Sequence, residues 1–178
     1  MVLMLNKLYS KSTPGMITKD QEFTRLIKEN KGIIYKICNS YCADKIDRDD
    51  LAQEIIYNLW KSFNSFNAEF KFSTWMYRIA LNVAISFYRR EKKFKYHDPI
   101  SEGLIVFEEN PQDEVETDLQ LLQGFINQLK EIDKAIILLY LDDKSYKEIS
   151  EITGFTETNV ATKINRIKDR LRTSFSNK

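Results

Sequence analysis

A long amphipathic pattern between Phe70 and Lys93 most constrains how this chain can fold. The stretch contains neither glycine nor proline, and four apolar residues recur at every fourth position: Trp75, Ile79, Val83 and Phe87. That spacing places them on one face of a helix, and Ser73 or Thr74 is expected to cap its start with a side-chain oxygen. The whole chain has only 5 Gly and 3 Pro among 178 residues, and helical spacing of apolar residues recurs along it. The sequence therefore predicts an all-α protein.

Outside its apolar face, this predicted helix is polar and ends in a basic run. The residues expected there include Arg78, Asn82, Arg89 and Arg90. Aromatic rings such as that of Trp75 stack on bases and cations hold phosphates, so the stretch suits single-stranded or melted nucleic acid. An amphipathic core helix with a solvated basic end is the favoured explanation of this stretch when it is taken alone.

Charge is distributed in blocks, although the net charge is only +1. Residues 61–97 carry eight Lys or Arg and two Asp or Glu, whereas residues 98–121 carry eight acids and no Lys or Arg. Residues 158–178 carry six Lys or Arg and one acid. Two basic segments on either side of an acidic one are compatible with two contacts on one nucleic acid.

These patterns predict two small helical domains joined by an acidic flexible linker. Residues 1–17 show no clear period and are predicted to be a disordered leader, with Met16 as an alternative start. Residues 18–97 form the first domain, residues 98–117 the linker and residues 118–178 the second domain. The apolar run Leu104–Phe107 within the linker fits either a short strand or a peptide that docks on a partner.

Within the first domain, an acidic cluster at Asp47–Asp50 is expected to start a helix, and Gly32 is a candidate break between two earlier helices. Leu51, Ile55 and Leu59 are predicted to face inward. A different side of the same helix presents Asp50, Gln53, Glu54 and Tyr57. Since Gln53 and Glu54 lie beyond what helix capping requires, this side is a candidate surface for a basic partner.

The second domain is predicted to contain a helix-turn-helix. Ser145 and Glu148 have the spacing of a capping box, and Gly154 is expected to end that short helix in a left-handed conformation. Asp133 and Thr156 are expected to cap the preceding and the last helix. The last helix has an inner stripe spaced four, three and four residues: Val160, Ile164, Ile167 and Leu171.

The remaining faces of the last helix are candidates for contact with duplex DNA. Its predicted contact residues are Thr158, Asn159, Thr162, Lys163 and Arg166. Asn pairs with adenine and Lys with guanine, while arginines further along mainly hold phosphates. A helical hairpin with a solvated basic helix is the alternative for this motif alone.

Several classes of protein are not indicated. No apolar run is long enough to span a bilayer, and no secretory signal is recognisable, so we expect a cytoplasmic protein without membrane insertion. Cys38 and Cys42 lie one helical turn apart without a second cysteine pair, so small buried side chains are favoured over a zinc site or a redox switch. No nucleophile–base pair, nuclease-like acid cluster or phosphate loop of the Gly-Lys-Ser/Thr type appears, so we expect a binding protein with no catalytic residues, no metal site and no cofactor.

From about Thr18 to Phe175, the chain resembles bacterial RNA polymerase sigma factors of the extracytoplasmic-function type, within the sigma-70 superfamily. The motifs that carry the resemblance occur in the family's order: Asp50–Glu54, Phe72–Asn82, Tyr88–Arg90, Ser145–Ser150 and Asn159–Ile164. Ser86 stands where the family commonly has Asp, and Ala161 and Thr162 stand where Lys or Arg and Ser are frequent. These departures concern promoter preference more than function.

The resemblance implies a sigma factor that directs core RNA polymerase to promoters and promotes DNA melting. It implies that the helix with Asp50, Gln53 and Glu54 docks on the polymerase's largest subunit. It further implies that Trp75–Arg90 captures the melted minus-ten element and that the last helix reads the minus-thirty-five element as duplex. Its implied partners are core polymerase, promoter DNA and, in many relatives, an anti-sigma factor; we expect a monomer when free. A stand-alone helix-turn-helix regulator is the alternative.

Overall fold

The computed structural model describes residues 18–67, 69–97 and 114–176. The predicted leader, most of the predicted linker and the Leu104–Phe107 run lie outside the described residues. Within them all regular structure is helical, which confirms the all-α prediction. Contacts between Cα atoms divide the chain into two compact units, Met1–Tyr88 and Arg89–Lys178. This division falls inside a long helix, whereas the sequence places the end of the first domain at His97.

From residue 18 onward, the N-terminal unit contains three successive helices: α1 (Lys19–Glu29), α2 (Lys31–Tyr41) and α3 (Lys45–Ser62). A capping box between Thr18 and Gln21 starts α1. The break after α1 is at Asn30, whose side-chain amide donates to the carbonyl of Leu26, so the prediction of a break at Gly32 is wrong. A 3-10 turn, Phe63–Ser65, follows α3.

Helix α3 supplies the centre of this unit's core. Leu51, Ile55 and Leu59 are 0% exposed, as predicted, and the helix packs against α2. Its start is earlier than predicted, because Asp44 is the N-cap and accepts the backbone N–H of Ile46 at 2.8 Å. Asp47, Asp49 and Asp50 are also acids that can cap a helix, but Asp44 is the one that lies at the turn after α2.

Helix α4 (Phe72–His97) is the long helix predicted from the central stretch, but it turns a different face inward. Ser73 and Thr74 lie inside the helix and do not cap it, and the carbonyl of Lys71 accepts the N–H groups of Thr74 and Trp75. Its buried apolar residues are Met76, Tyr77, Ala80, Leu81, Ala84, Ile85 and Phe87, and Thr74 is buried as well. Trp75, Ile79 and Val83 are only half-buried. The small alanines allow the backbone to approach the core closely, which centres the buried face one residue beyond the predicted stripe.

The C-terminal unit continues with α5 (Glu114–Asn127), α6 (Glu131–Leu141), α7 (Tyr146–Thr153) and α8 (Glu157–Ser176). Helix α5 begins within the segment predicted to be linker. Helix α6 begins after Lys130, so the prediction that Asp133 is its N-cap is wrong; Asp133 lies in the first turn instead.

The predicted helix-turn-helix, α7 and α8, is confirmed in detail. Ser145 and Glu148 form the capping box of α7, and Gly154 ends it with a φ of 78°. The hydroxyl of Thr156 accepts the N–H of Asn159 at the start of α8. The predicted inner stripe of α8 is buried at Val160, Ile164 and Ile167 and half-buried at Leu171, and α6 and α7 both pack against this helix.

Candidate functional site

The outward face of α3 carries four residues whose spacing of four, three and four positions aligns them: Ile46, Asp50, Gln53 and Tyr57. All four are exposed, and the two apolar members are the most conspicuous, with Ile46 70% and Tyr57 63% exposed. Glu54 is half-buried beside this stripe. The sequence analysis missed Ile46, although its spacing from Asp50 would have placed it on the same face. An acid, an amide and two apolar groups in a row form a surface suited to a protein partner.

One side of α4 presents a polar stripe formed by Arg78, Asn82, Ser86 and Arg89, all of which are exposed. Their spacing of four, four and three positions keeps them aligned along about three turns. Arg90 is also exposed. The predicted residues Arg78, Asn82 and Arg89 therefore lie together. Guanidinium and amide groups in such a line can follow a nucleic-acid strand through its phosphates and base edges.

Trp75 belongs to a ring cluster beside that stripe. Its ring centroid lies 5.3 Å from that of Phe66 and 5.4 Å from that of Phe72, and Phe66 and Phe72 are 5.4 Å apart. Phe63 completes the cluster at 6.4 Å from Trp75. The cluster anchors both ends of the connection between the 3-10 turn and α4. Phe70, within that connection, is 46% exposed and is the ring there that is free to stack on a base. The sequence analysis did not single out Phe70 among the rings of this stretch.

The first turns of α8 expose Thr158, Asn159 and Thr162, as a major-groove helix requires. The hydroxyl of Thr162 donates to the carbonyl of Thr158 at 2.9 Å, which leaves its lone pairs for a partner. Arg166 is exposed one turn further along. These are four of the five residues that the sequence predicts for this surface, and all four are exposed.

Lys163 differs from these neighbours because its ammonium is already engaged. Its Nζ donates to Oδ1 of Asp133 on α6 at 2.8 Å and lies 5.6 Å from the ring centroid of Phe155. Both members of this ion pair are half-buried. The sequence offers no signal for a pair that joins residues 30 positions apart.

Other cations of α8 also rest on groups of the same unit. The Nζ of Lys168 donates to the hydroxyl of Tyr140 at 2.7 Å and lies 4.2 Å from its ring centroid. The guanidinium of Arg170 lies 5.9 Å from the ring centroid of Phe125. Packing against α5 and α6 therefore fixes where positive charge is presented along α8.

The two cysteines lie buried within the N-terminal unit and are not joined by a disulfide. Burial, followed by the neighbouring Cys42, raises the pKa of Cys38 to about 12. A thiol with so high a pKa is inert at neutral pH, which supports the prediction of a packing role. In the described ranges, no group of three or more His, Cys, Asp or Glu is arranged to hold a metal ion, and no helix is long and apolar enough to cross a membrane.

Comparison with known proteins accounts for both units. Residues 26–94 match the model of sigma-70 region 2, and residues 119–171 match that of sigma-70 region 4. The chain is 30% identical to the extracytoplasmic-function (ECF) RNA polymerase sigma factor SigW of Bacillus subtilis, over 97% of each chain. It belongs to the ECF sigma factors. The similar SigM of the same organism is 28% identical, over 80% of this chain and 88% of SigM.

Two solved structures share the fold. The sigma factor RpoE of Bartonella quintana, in complex with the anti-sigma factor NepR, superposes with a TM-score of 0.65 at 19% identity, over 88% of this chain and 98% of RpoE. CnrH, in complex with the cytosolic domain of CnrY, gives a TM-score of 0.63 at 17% identity, over 86% of this chain and 87% of CnrH. In this ECF sigma factor, the match to region 2 runs from the last turn of α1 into α4, and the match to region 4 runs from α5 into α8.

Proposed function

We propose that this ECF sigma factor directs core RNA polymerase to a set of promoters and helps to open the duplex there. The observation that carries the proposal is the presence of both sigma regions, in order, in a chain similar to SigW over 97% of its length. It acts in the cytoplasm by binding, and the polymerase performs the chemistry. Geometry supports this assignment, because each unit exposes a polar surface next to a well-packed core.

The outward stripe of α3 is the proposed docking surface for the largest subunit of the polymerase. Asp50, Gln53, Glu54 and Tyr57 would supply charge, amide and ring contacts, with Ile46 at the same face. The two exposed apolar groups gain most from association, since burying them removes apolar area from water. The acids add orientation and a faster encounter with a basic partner.

The polar stripe of α4 is the proposed contact for the melted minus-ten element. Unstacking a base costs a few kcal/mol, and stacking on an aromatic ring offsets roughly 1–3 kcal/mol of it per base. Phe70 and the ring cluster around Trp75 would receive bases, while Arg78, Asn82, Arg89 and Arg90 would hold the strand. Helix α8 is the proposed reader of the minus-thirty-five element, through Thr158, Asn159, Thr162, Lys163 and Arg166.

The decisive experiment is run-off transcription with purified core polymerase and a pool of genomic fragments. Discrete transcripts that depend on adding this chain are expected. A stand-alone regulator would instead bind specific duplex sites without polymerase and give no transcripts of its own. Absence of association with core polymerase would refute the proposal.

A paired substitution tests the docking surface without disturbing the fold. Tyr57→Ala is expected to weaken association with core polymerase by about tenfold or more, since a central aromatic contact contributes about 2 kcal/mol. Tyr35→Ala is the matched control, because Tyr35 on α2 is equally accessible, at 72% exposed, and lies outside the stripe. Equal losses for both variants in a pull-down would contradict the docking assignment.

A further inference from the structure

The ion pair between Asp133 and Lys163 is unlike an ordinary surface pair. Its side chains are 22% and 32% exposed, and its N–O distance is 2.8 Å. A second ion pair joins Asp169 and Arg172, which both lie on α8. Its side chains are 71% and 77% exposed, and its N–O distance is 3.1 Å. Half-buried charges are less screened by salt, so the Asp133 pair restrains its lysine far more than the Asp169 pair restrains its arginine.

This restraint decides what Lys163 can bind. A lysine on a flexible stem beside DNA neutralises whichever phosphate is nearest, which adds affinity without sequence choice. The Lys163 ammonium uses one of its three N–H donors on Asp133 and keeps the others for a partner. The ring of Phe155 lies beside the ammonium and further limits the positions that the ammonium can occupy.

We infer that Asp133 is a positioning residue for promoter specificity: it holds the half-buried Lys163 at one place at the edge of the exposed face of α8. From there the ammonium reads a base edge and is kept from the phosphates. Guanine, with acceptors at O6 and N7, is the base that suits an ammonium. The inference rests on the proposed function, since it assigns a role within the same DNA-reading helix.

Two measurements on reconstituted holoenzyme test this role. One duplex is selected from a random pool by the wild-type holoenzyme, and the other has the same length and composition in shuffled order. Affinity for each is measured over a range of salt concentrations. The ratio of the two affinities reports discrimination, and the dependence of log K on log salt reports phosphate contacts.

Asp133→Asn releases Lys163 and removes one negative charge. Discrimination is expected to fall about three- to tenfold, a part of the roughly five- to 150-fold that one good base contact provides. For the shuffled duplex, the fall of log K with log salt is expected to steepen by up to about 0.9, because one more cation reaches a phosphate. Asp169→Asn is the control: it also removes one negative charge, but from an exposed pair on α8. It should leave discrimination within about twofold of wild type. Asp133→Glu keeps the carboxylate, so its discrimination should stay close to that of wild type.

Removing the lysine gives a second test that does not require Asp133→Asn to fold. Lys163→Ala is expected to lower discrimination while leaving the salt slope nearly unchanged, whereas Arg166→Ala should reduce the slope by about 0.9. In the Lys163→Ala background, Asp133→Asn should have no further effect on discrimination.

The outcomes separate the two proposals. If Asp133→Asn changes both duplexes as Asp169→Asn does, or if Lys163→Ala lowers the salt slope as Arg166→Ala does, the positioning role is overturned and the sigma function stands. If the wild-type holoenzyme selects no duplex, the proposed function fails and this inference falls with it.

Discussion

At the scale of single residues, α3 alternates between complete burial and exposure within one turn. Ile55 is 0% exposed, whereas Gln53 faces outward. Ile55→Ala is expected to lower the free energy of unfolding by about 2–5 kcal/mol, because it removes buried methylene groups and leaves a cavity. Gln53→Ala should change it by no more than about 0.5 kcal/mol. Denaturant titration of the full chain by circular dichroism measures both, and similar losses would contradict the burial of Ile55.

Cys38 makes a second residue-scale prediction, on alkaline stability. Its pKa is raised from 9.0 to about 12, first by burial and then by Cys42. The unfolded chain therefore releases this proton at a lower pH than the folded one, so the contribution is complete below pH 9 and is lost as pH rises towards 12. Cys38→Ala should make the alkaline fall in stability shallower than in wild type. Parallel curves for the two proteins, measured by denaturant titration from pH 8 to pH 11, would show that this thiol does not contribute.

At the scale of elements, two glycines of opposite conformation give a matched pair of substitutions. Gly154 ends α7 at a φ of 78°, where a Cβ is strained. Gly32 lies inside α2, and a Cβ there would meet no atom within 4 Å. Gly154→Ala is therefore expected to lower the melting temperature, and Gly32→Ala to raise stability by about 0.5–1 kcal/mol. Calorimetry of both variants tests the pair, and a shift in the same direction would be inconsistent with these backbone assignments.

The same glycines show what sequence can predict of the elements. Apolar spacing predicts the existence of the helices, and Ser145, Glu148 and Gly154 predict the ends of α7, because capping chemistry is local. Gly32 misleads, since glycine is tolerated within a helix and the break is made by Asn30. The inward face of α4 is also shifted from its predicted stripe. A stripe at four-residue spacing drifts around the helix by about 40° per step, so only packing against neighbours decides which part is buried.

At the scale of the whole molecule, the candidate surfaces follow the same rule. The exposed residues of α3 and α8 could be assigned from periodicity, because they lie away from a predicted apolar stripe that is buried on the same helix. On α4 the predicted stripe is displaced from the buried face, and the exposed residues there were identified by their polar side chains. Contacts between distant residues could not: the Asp133–Lys163 pair and the Phe66–Trp75 ring contact arise from how helices and turns pack. Phe70 could not be distinguished from the neighbouring phenylalanines in the sequence, because only packing determines that its ring is exposed.

Weakening the proposed minus-ten contact and weakening the proposed minus-thirty-five contact should affect transcription in different ways. Phe70→Ala should lower the plateau of run-off transcript at saturating holoenzyme, because stacking worth roughly 1–3 kcal/mol no longer offsets the cost of opening the duplex. A template melted in advance around the minus-ten element has no such cost, so it should restore the plateau.

Arg166→Ala should show the opposite behaviour. It weakens the contact with paired DNA, so more holoenzyme is needed for half-maximal transcription on either template, while the plateau is unchanged. Because the substitutions lie in different units, their free-energy effects should add within about 0.5 kcal/mol in the double variant. Tyr35→Ala, an exposed ring outside all three surfaces, serves as the control and should behave as wild type. A plateau that stays low for Phe70→Ala on the melted template would place this ring in another step than opening.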